Sequence, residues 1–315
     1  MWRYTQHPRR CVDLMPAPTI DLDEAASDFA DAVGAEGEVT IEGLGSRGGA
    51  IDGVRCVTAP SGIELIQPAE MTIRCGAATP VAEIDSALVE FGQCVAVPSG
   101  GSIGGALSVG QSGIRRLGYG PMRDALLQVH YVSAKGEVVK AGGPTVKNVS
   151  GFDLCRLLVG SRGTLGFLSD VILRTRPRGK HEQWFSSTRD PWELLEELYR
   201  PTSLLWNGTT TWALLEGHPE DIRAQAESSG MEPVDGPPNL PNAARWSIPP
   251  SELASLRVAA PGSFVAEIGV GIVHHTHSAS RAEPDSATVE LHRRIKAEFD
   301  PSGRLNPGVS VLRNS

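Results

Sequence analysis

Three glycine-dense segments carry the clearest chemical signal in this 315-residue chain: GLGSRG at 43–48, the run 98–113, and GSRGTLG at 160–166. Glycine has no Cβ, so successive backbone N–H groups can close around pyrophosphate oxygens without a lysine. GLGSRG is a literal GxGxxG. A nicotinamide-type fold needs a helix directly behind that loop, however, and Gly49, Asp52 and Gly53 break it. No GxxxxGK[ST] occurs. A backbone anion nest is the functional reading and a plain turn the bland one. A single elongated dinucleotide can touch all three segments.

The elements around these loops follow from periodicity. Leu22, Ala26, Phe29 and Val33 recur at helical spacing, and Gly34 is the stop. Val39 and Ile41 alternate in a short strand that feeds the first glycine loop. Strands are expected at 63–66 and 71–75. A helix follows, with Thr79 as N-cap, Pro80 at its first position and Val81, Ile84, Leu88 and Phe91 on its apolar face. The segment 97–120 is too poor in bulky apolar residues for a core element and reads as a long functional loop with short helical pieces. Residues 126–133 and 137–140 form a hairpin, and 167–173 a strand. From Pro177 the composition changes, with tryptophans at 184, 192, 206, 212 and 246 and a Pro-rich patch at 233–250. FVAEIGVGIVHHTH (264–277) reads as one strand. Period two sets Phe264, Ala266, Ile268, Val270 and Ile272 against Glu267, Gly269, Gly271, Val273 and His275. A last helix runs through Leu291 and Ile295.

A formal charge of -8 offers no positive field for phosphate backbones or anionic lipid, so nucleic acid is not an expected partner. The five cysteines, Cys11, Cys56, Cys75, Cys94 and Cys155, are odd in number and lack a CxxC pair, which argues against a disulfide framework or zinc knuckle and for a cytoplasmic setting. Arg9-Arg10 precedes no apolar stretch, since Asp13, Asp21, Asp23 and Glu24 interrupt it. No run approaches the length of a membrane span, so membrane contact is expected only through a partner.

The stretch 100–177 closely resembles the FAD-linked oxidases of the vanillyl-alcohol oxidase/p-cresol methylhydroxylase (PCMH-type) family, and is most similar to glycolate oxidase FAD-binding subunits. The likeness rests on Tyr119-Gly120 before Arg123-Asp124, Lys147-Asn148, Gly151-Phe152-Asp153-Leu154, Gly160-Ser161 and Gly163-Thr164-Leu165-Gly166. Beyond it, WALLEG at 212–217 and the terminal FDPSGRLNPG at 299–308 continue the match. The resemblance implies non-covalent FAD, since the flavin loops hold no histidine. Pyrophosphate would lie at Gly43, Leu44, Gly45, Ser46 and Arg47. Flavin and phosphates would be wrapped by Pro98, Gly100, Gly101, Ser102, Ile103, Gly104, Gly105, Ser108, Gly110, Ser112 and Gly113. Gly163, Gly166 and Leu168 would meet the adenosine half, with Asn306 near the flavin. Leu44, Phe152 and Val309 depart from the family pattern without removing a backbone donor.

The implied chemistry is hydride loss from a small 2-hydroxy acid to flavin while a base takes the hydroxyl proton. His274, His275 and His277 are candidates for that base, because imidazole titrates near neutral pH, or alternatively for metal ligands, and Glu267 is a further catalytic candidate. Surface or packing histidines and a charged strand residue are the plain alternatives. No metal site is expected, since the sister subunit's histidine-rich metal motif is missing. Arg115, Arg116 and Arg123 stand between solvated charge and a phosphate or partner contact. The fold class implied is α+β: a PCMH-type FAD-binding domain at 1–176, of two α/β subdomains at about 1–75 and 76–176, a smaller α+β cap at 177–287, and a tail at 288–315 returning to the FAD domain. Partners implied are a catalytic flavoprotein sister subunit and an iron–sulfur subunit. The alternatives are a non-catalytic electron-relay subunit and a stand-alone oxidase of another alcohol or D-lactate.

Overall fold

The computed structural model describes residues 20–144, 153–258, 262–277 and 284–312. Arg9, Arg10, Cys11 and Asp13, and the motif residues Lys147, Asn148, Gly151 and Phe152, lie outside the described residues. Helix α1 (Leu22–Val33) opens on Asp21, whose carboxylate accepts from the N–H groups of Asp23 and Glu24 at 3.0 and 3.1 Å. Its face of Leu22, Ala26, Phe29, Ala30 and Val33 is buried, as the spacing requires. Strands β1 (Val39–Ile41) and β2 (Arg55–Val57) pair in parallel, and Leu305 from the chain's end bridges to Val39.

Strands β3 (Ile63–Gln67) and β4 (Thr72–Gly76) precede α2 (Val81–Val89) and β5 (Gln93–Val95). Pro80, one position later than the periodicity placed the cap, borders α2, because the Thr79 hydroxyl is already engaged. It accepts from Gly62 N at 2.9 Å and donates to Gly62 O at 3.1 Å. Helix α3 (Ile103–Val109) and the short α4 (Arg116–Tyr119) lie within the glycine-rich run. Strands β6 (Leu126–Val132) and β7 (Val138–Gly142) form the expected hairpin, then come α5 (Leu154–Leu158) and β8 (Phe167–Pro177).

These strands form a six-stranded sheet in the order β3-β4-β8-β6-β7, with β5 pairing further along β8. The sheet therefore takes strands from both sides of residue 75. One core of Phe29, Val33, Ile73, Ile84, Leu107, Leu173 and Leu305, among others, joins both small sheets to their helices. Fully burying each such large side chain is worth ~1.5–3 kcal/mol.

The second half contains β9 (His181–Ser187), α6 (Pro191–Glu197), β10 (Ser203–Trp206), β11 (Thr211–Gly217), α7 (Pro219–Ser228), β12 (Glu232–Val234) and β13 (Ala244–Ser247). It ends with β14 (Phe264–Glu267) and β15 (Ile272–His275). These strands form a seven-stranded antiparallel sheet, β12-β9-β11-β10-β14-β15-β13. One face carries a core that includes Leu194 of α6 and Ile222 of α7, with Trp206 packed edge-on against Trp192 and Phe264 at 5.4 Å. On the other face Trp184, Leu205, Leu214 and Val265 pack against Ile114 of the glycine-rich run. Helix α8 (Ser286–Phe299) follows, and the mixed helix and sheet architecture is α+β.

The segment 264–277 is not one strand. Gly269 and Gly271, at φ +77° and +86°, turn the chain back within four residues, and the Glu267 carbonyl accepts from Val270 N and Gly271 N. The hairpin register pairs Val265 with His274 and Glu267 with Ile272. Glu267 and His274 thus share a face, whereas a continuous strand would have paired Glu267 with His275.

Candidate functional site

A cavity of about 220 Å³ opens where β1 delivers its glycine loop. The expected residues Gly43, Leu44, Gly45, Ser46 and Arg47 line one side, Ser102, Gly104, Gly105 and Ser108 a second, and Gly163, Leu168 and Asn306 a third. A Cβ added at Gly45, Gly48 or Gly49 would meet no atom of the described residues within 4 Å, so this backbone faces open space among them. Asn306 ties the walls together. Its Oδ1 accepts from Thr40 Oγ1 at 2.9 Å and Ile41 N at 3.3 Å, and its Nδ2 donates to Arg162 O at 2.8 Å. A Cβ at Gly163, where φ is +70°, would lie 2.6 Å from that Nδ2, so only glycine allows the approach.

Arg47 spans to the second cavity. Its guanidinium donates to Gly100 O at 2.6 Å, Ser99 O at 3.2 Å and Pro98 O at 3.3 Å, and burial lowers its pKa. Arg47 is a wall of both spaces. Five expected cofactor residues support these walls without lining them. Gly100 and Gly101 sit beneath Arg47, and a Cβ at Gly101 would meet Ser46 Oγ at 2.1 Å. Ile103 is fully buried, Gly110 backs on Gly160, and Gly166 backs on the Tyr131 ring.

The second space is a cleft of about 1840 Å³ between the glycine-rich run and the seven-stranded sheet. Pro98, Ser112 and Gly113 face Arg245, Glu267 and His274 across it. Arg245 pairs with His274 and His274 with Val265 in adjacent strands, so all lie on the face that packs on Ile114. His274 Nε2 lies 2.8 Å from Glu267 Oε1. The Glu267 side chain is 2% exposed, and its Oε2 has no hydrogen-bond partner among the described residues. With His274 Nε2 as the donor to Glu267, the lone pair would lie on Nδ1. His275 points away: it stacks on Trp246 at 4.5 Å, and its Nδ1 accepts from His277 N.

A charged lock closes one end of the cleft. Arg115 donates to both oxygens of Glu182, at 2.7 and 3.0 Å, and to Glu216 Oε1 at 3.0 Å. Tyr119 donates to the same Glu216 oxygen at 2.8 Å, and Arg176 lies 3.8 Å over the Tyr119 ring. The bond to Glu182 raises the Arg115 pKa despite burial, and burial raises the Tyr119 hydroxyl well above its ordinary value. Asp85, also on the cleft, is raised by burial. The arginine choice left open by the residues resolves separately. Arg115 is an ion-paired bridge, Arg116 lines the cleft, and Arg123 is exposed beside Asp124. Arg245 escaped the sequence reading because it sits in a Pro-rich polar stretch. The available signal was one arginine next to Trp246 in a short alternating segment.

An FAD binding domain family matches residues 37–142, and the C-terminal domain of FAD linked oxidases matches 246–309. Glycolate oxidase subunit GlcE of Escherichia coli K12 is 28% identical over 81% of this chain and 85% of its own length. D-lactate dehydrogenase of Archaeoglobus fulgidus is 36% identical over 33% of this chain, a match that spans 24% of that protein. Among solved structures, an alkyldihydroxyacetonephosphate synthase superposes with a TM-score of 0.63 at 13% identity, over 90% of this chain and 74% of its own. Berberine bridge enzyme from Eschscholzia californica gives 0.50 at 13% identity, over 65% and 47%. Among the described residues no helix is long and apolar enough to cross a membrane.

Proposed function

The chain belongs to the PCMH-type FAD-linked oxidases, an FAD-binding oxidoreductase, and we propose that it is the FAD-binding subunit of a glycolate oxidase-like complex that oxidises a small 2-hydroxy acid to the 2-oxo acid. The observation that carries this reading is the buried Glu267–His274 pair on the cleft wall, directly across from the flavin-loop residues Ser112 and Gly113.

The two spaces suit FAD. The first is too small for a whole dinucleotide, since ligand pockets run roughly 300–1,000 Å³, but it continues past Arg47 into the wide cleft. In the proposed arrangement the open backbone at Gly45, Gly48 and Gly49 and the Arg47 cation hold the pyrophosphate. Gly163, Leu168 and Asn306 border the adenosine half, and Pro98, Ser112 and Gly113 the flavin. Bound FAD supplies the hydride acceptor.

The remaining work falls to the chain's own side chains. Glu267 fixes the ring of His274 and its tautomer, so that Nδ1 takes the hydroxyl proton as the α C–H bond gives up its hydride. The imidazolium so formed is stabilised by the Glu267 carboxylate, and the substrate leaves as a 2-oxo acid. His275 is a packing residue in this scheme. The division of the chain at 176/177, with 288–315 returning to the FAD domain, belongs to the same proposal. So does assembly with a sister flavoprotein and an iron–sulfur subunit, which the similarity to a glycolate oxidase subunit supports.

The test is rapid anaerobic mixing of the FAD-loaded chain, alone and co-expressed with its complex, with glycolate. His274→Gln is expected to slow flavin reduction by about 10²–10⁴-fold while FAD content stays the same. Unchanged reduction in that variant removes His274 from the mechanism.

A further inference from the structure

The chain carries a net charge of -8, yet the wall beside His274 is cationic. Arg245 and Arg116 both line the cleft, and neither has an acidic hydrogen-bond partner among the described residues. Arg115, by contrast, is saturated by Glu182 and Glu216. Arg245 is half-buried, and among the described residues its one side-chain hydrogen bond, to Ser112 O, is 3.5 Å long, so most of its five N–H donors face the cleft without a protein acceptor there. Burial depresses the Arg245 pKa; Glu267 counters that, and the neighbouring Arg116 adds to it. Two guanidinium groups that repel one another in a partly desolvated cleft make a strong site for a small anion.

The position decides which anion. Arg245 and His274 are directly paired across adjacent strands, which puts their Cα atoms ~4.5–5.5 Å apart with side chains on one face. A two- or three-carbon acid that rests its carboxylate on Arg245 therefore brings its 2-hydroxyl within reach of the His274 ring. The contact to Ser112 places the guanidinium against the flavin loop, so the α-carbon is held between that loop and the base. Neutral alcohols of the same size have nothing to offer the two cations.

We propose that Arg245, assisted by Arg116, is the carboxylate anchor of this cleft and makes it selective for 2-hydroxy monocarboxylates over uncharged alcohols. The inference rests on the proposed oxidation, but the anion site is separable from turnover.

The FAD-loaded full chain is titrated at constant ionic strength with glycolate, with oxalate as a non-oxidisable two-carbon anion, and with ethylene glycol. Flavin absorbance reports binding, because Ser112 and Gly113 of the flavin loop line the same cleft as Arg245. Both anions should saturate, and ethylene glycol should not. Arg245→Gln should weaken both anions about 100-fold, with the glycolate KM rising far more than kcat falls. Arg245→Lys should recover part of the loss and Arg116→Gln should cause a smaller one, with FAD content and melting temperature unchanged in all three. Anion binding that is absent in the wild type, or equally tight in Arg245→Gln, overturns the anchor. Oxalate binding that depends on Arg245 without any oxidation of glycolate upholds the anchor and refutes the proposed reaction. Oxidation of glycolate with an unaltered KM in Arg245→Gln does the reverse.

Discussion

Arg304→Met cuts the stitch that holds the chain's end to its beginning. Arg304 is 4% exposed, and all five of its N–H donors are used on backbone carbonyls: Gly37 at 2.7 Å, Val33 at 2.8 Å, Gly34 and Glu36 at 3.0 Å, and Ala134 at 3.1 Å. Two of these acceptors, at Val33 and Gly34, belong to the end of α1, where a cation is favoured by the helix dipole. Hydrogen bonds to charged groups contribute about 1.5–3 kcal/mol each in isolation, but five from one group do not add, and water can reach the outer carbonyls. Arg304→Met leaves these buried carbonyls unpaired at about 1–3 kcal/mol apiece, partly relieved by water, so a loss of about 4 kcal/mol is expected. At roughly 2 °C per kcal/mol for a chain of this size, the melting temperature should fall by about 8 °C. Urea unfolding measures the energy directly, and Arg304→Lys, with at most three donors, should lie between wild type and Met. Because Asn306 follows two residues later, FAD affinity should fall with stability. A loss below about 1 kcal/mol would refute the reasoning, since it would mean that the carbonyls are satisfied without the guanidinium.

Further outcomes follow from the same geometry. Gly163→Ala puts a Cβ 2.6 Å from Asn306 Nδ2 at a φ of +70°, so FAD binding measured by flavin fluorescence should weaken at least tenfold. Gly271→Ala drives a Cβ to 2.2 Å from Ile248 O, and proteolysis should show the β14–β15 turn opening, at a cost of about 2–4 kcal/mol. For Asp300, burial alone would raise the pKa. The Lys296 ammonium at 2.6 Å and the N–H groups of Leu305 and Arg304 outweigh it and hold the carboxyl below its ordinary 3.8. A depressed folded value stabilises the fold above about pH 3.8 and loses that contribution as pH falls through the folded value. Acid unfolding should therefore be shallower below pH 4 in Asp300→Asn, which starts from a lower stability at pH 7.

Much of the local structure was written in the residues. The face of α1 from Leu22 to Val33, the β6–β7 hairpin and the glycine loop after β1 all stand where spacing placed them, because each is decided by neighbours within a few positions. The sheet order was not legible, since β4 pairs with β8 about a hundred residues away and nothing local selects that partner. The β14–β15 hairpin was hidden for a different reason. Apolar alternation runs unbroken through Ile268 and Val270, and Gly-Val-Gly lacks the Asn-Gly or Asp-Gly signature that marks most tight hairpins. That single misread turn moved Glu267 from His275 to His274. Family resemblance pointed to the loops that line the first cavity, while Arg245 and Arg116 came together only through strand register and loop packing.

The central claim is that FAD lies across the two joined spaces with His274 facing its reactive end. The most direct measurement is the visible absorption spectrum of the purified chain, reconstituted with FAD, before and after anaerobic addition of glycolate. The account predicts flavin bands that bleach on addition in the wild type and persist in His274→Gln. A colourless protein that takes up no FAD would contradict it outright.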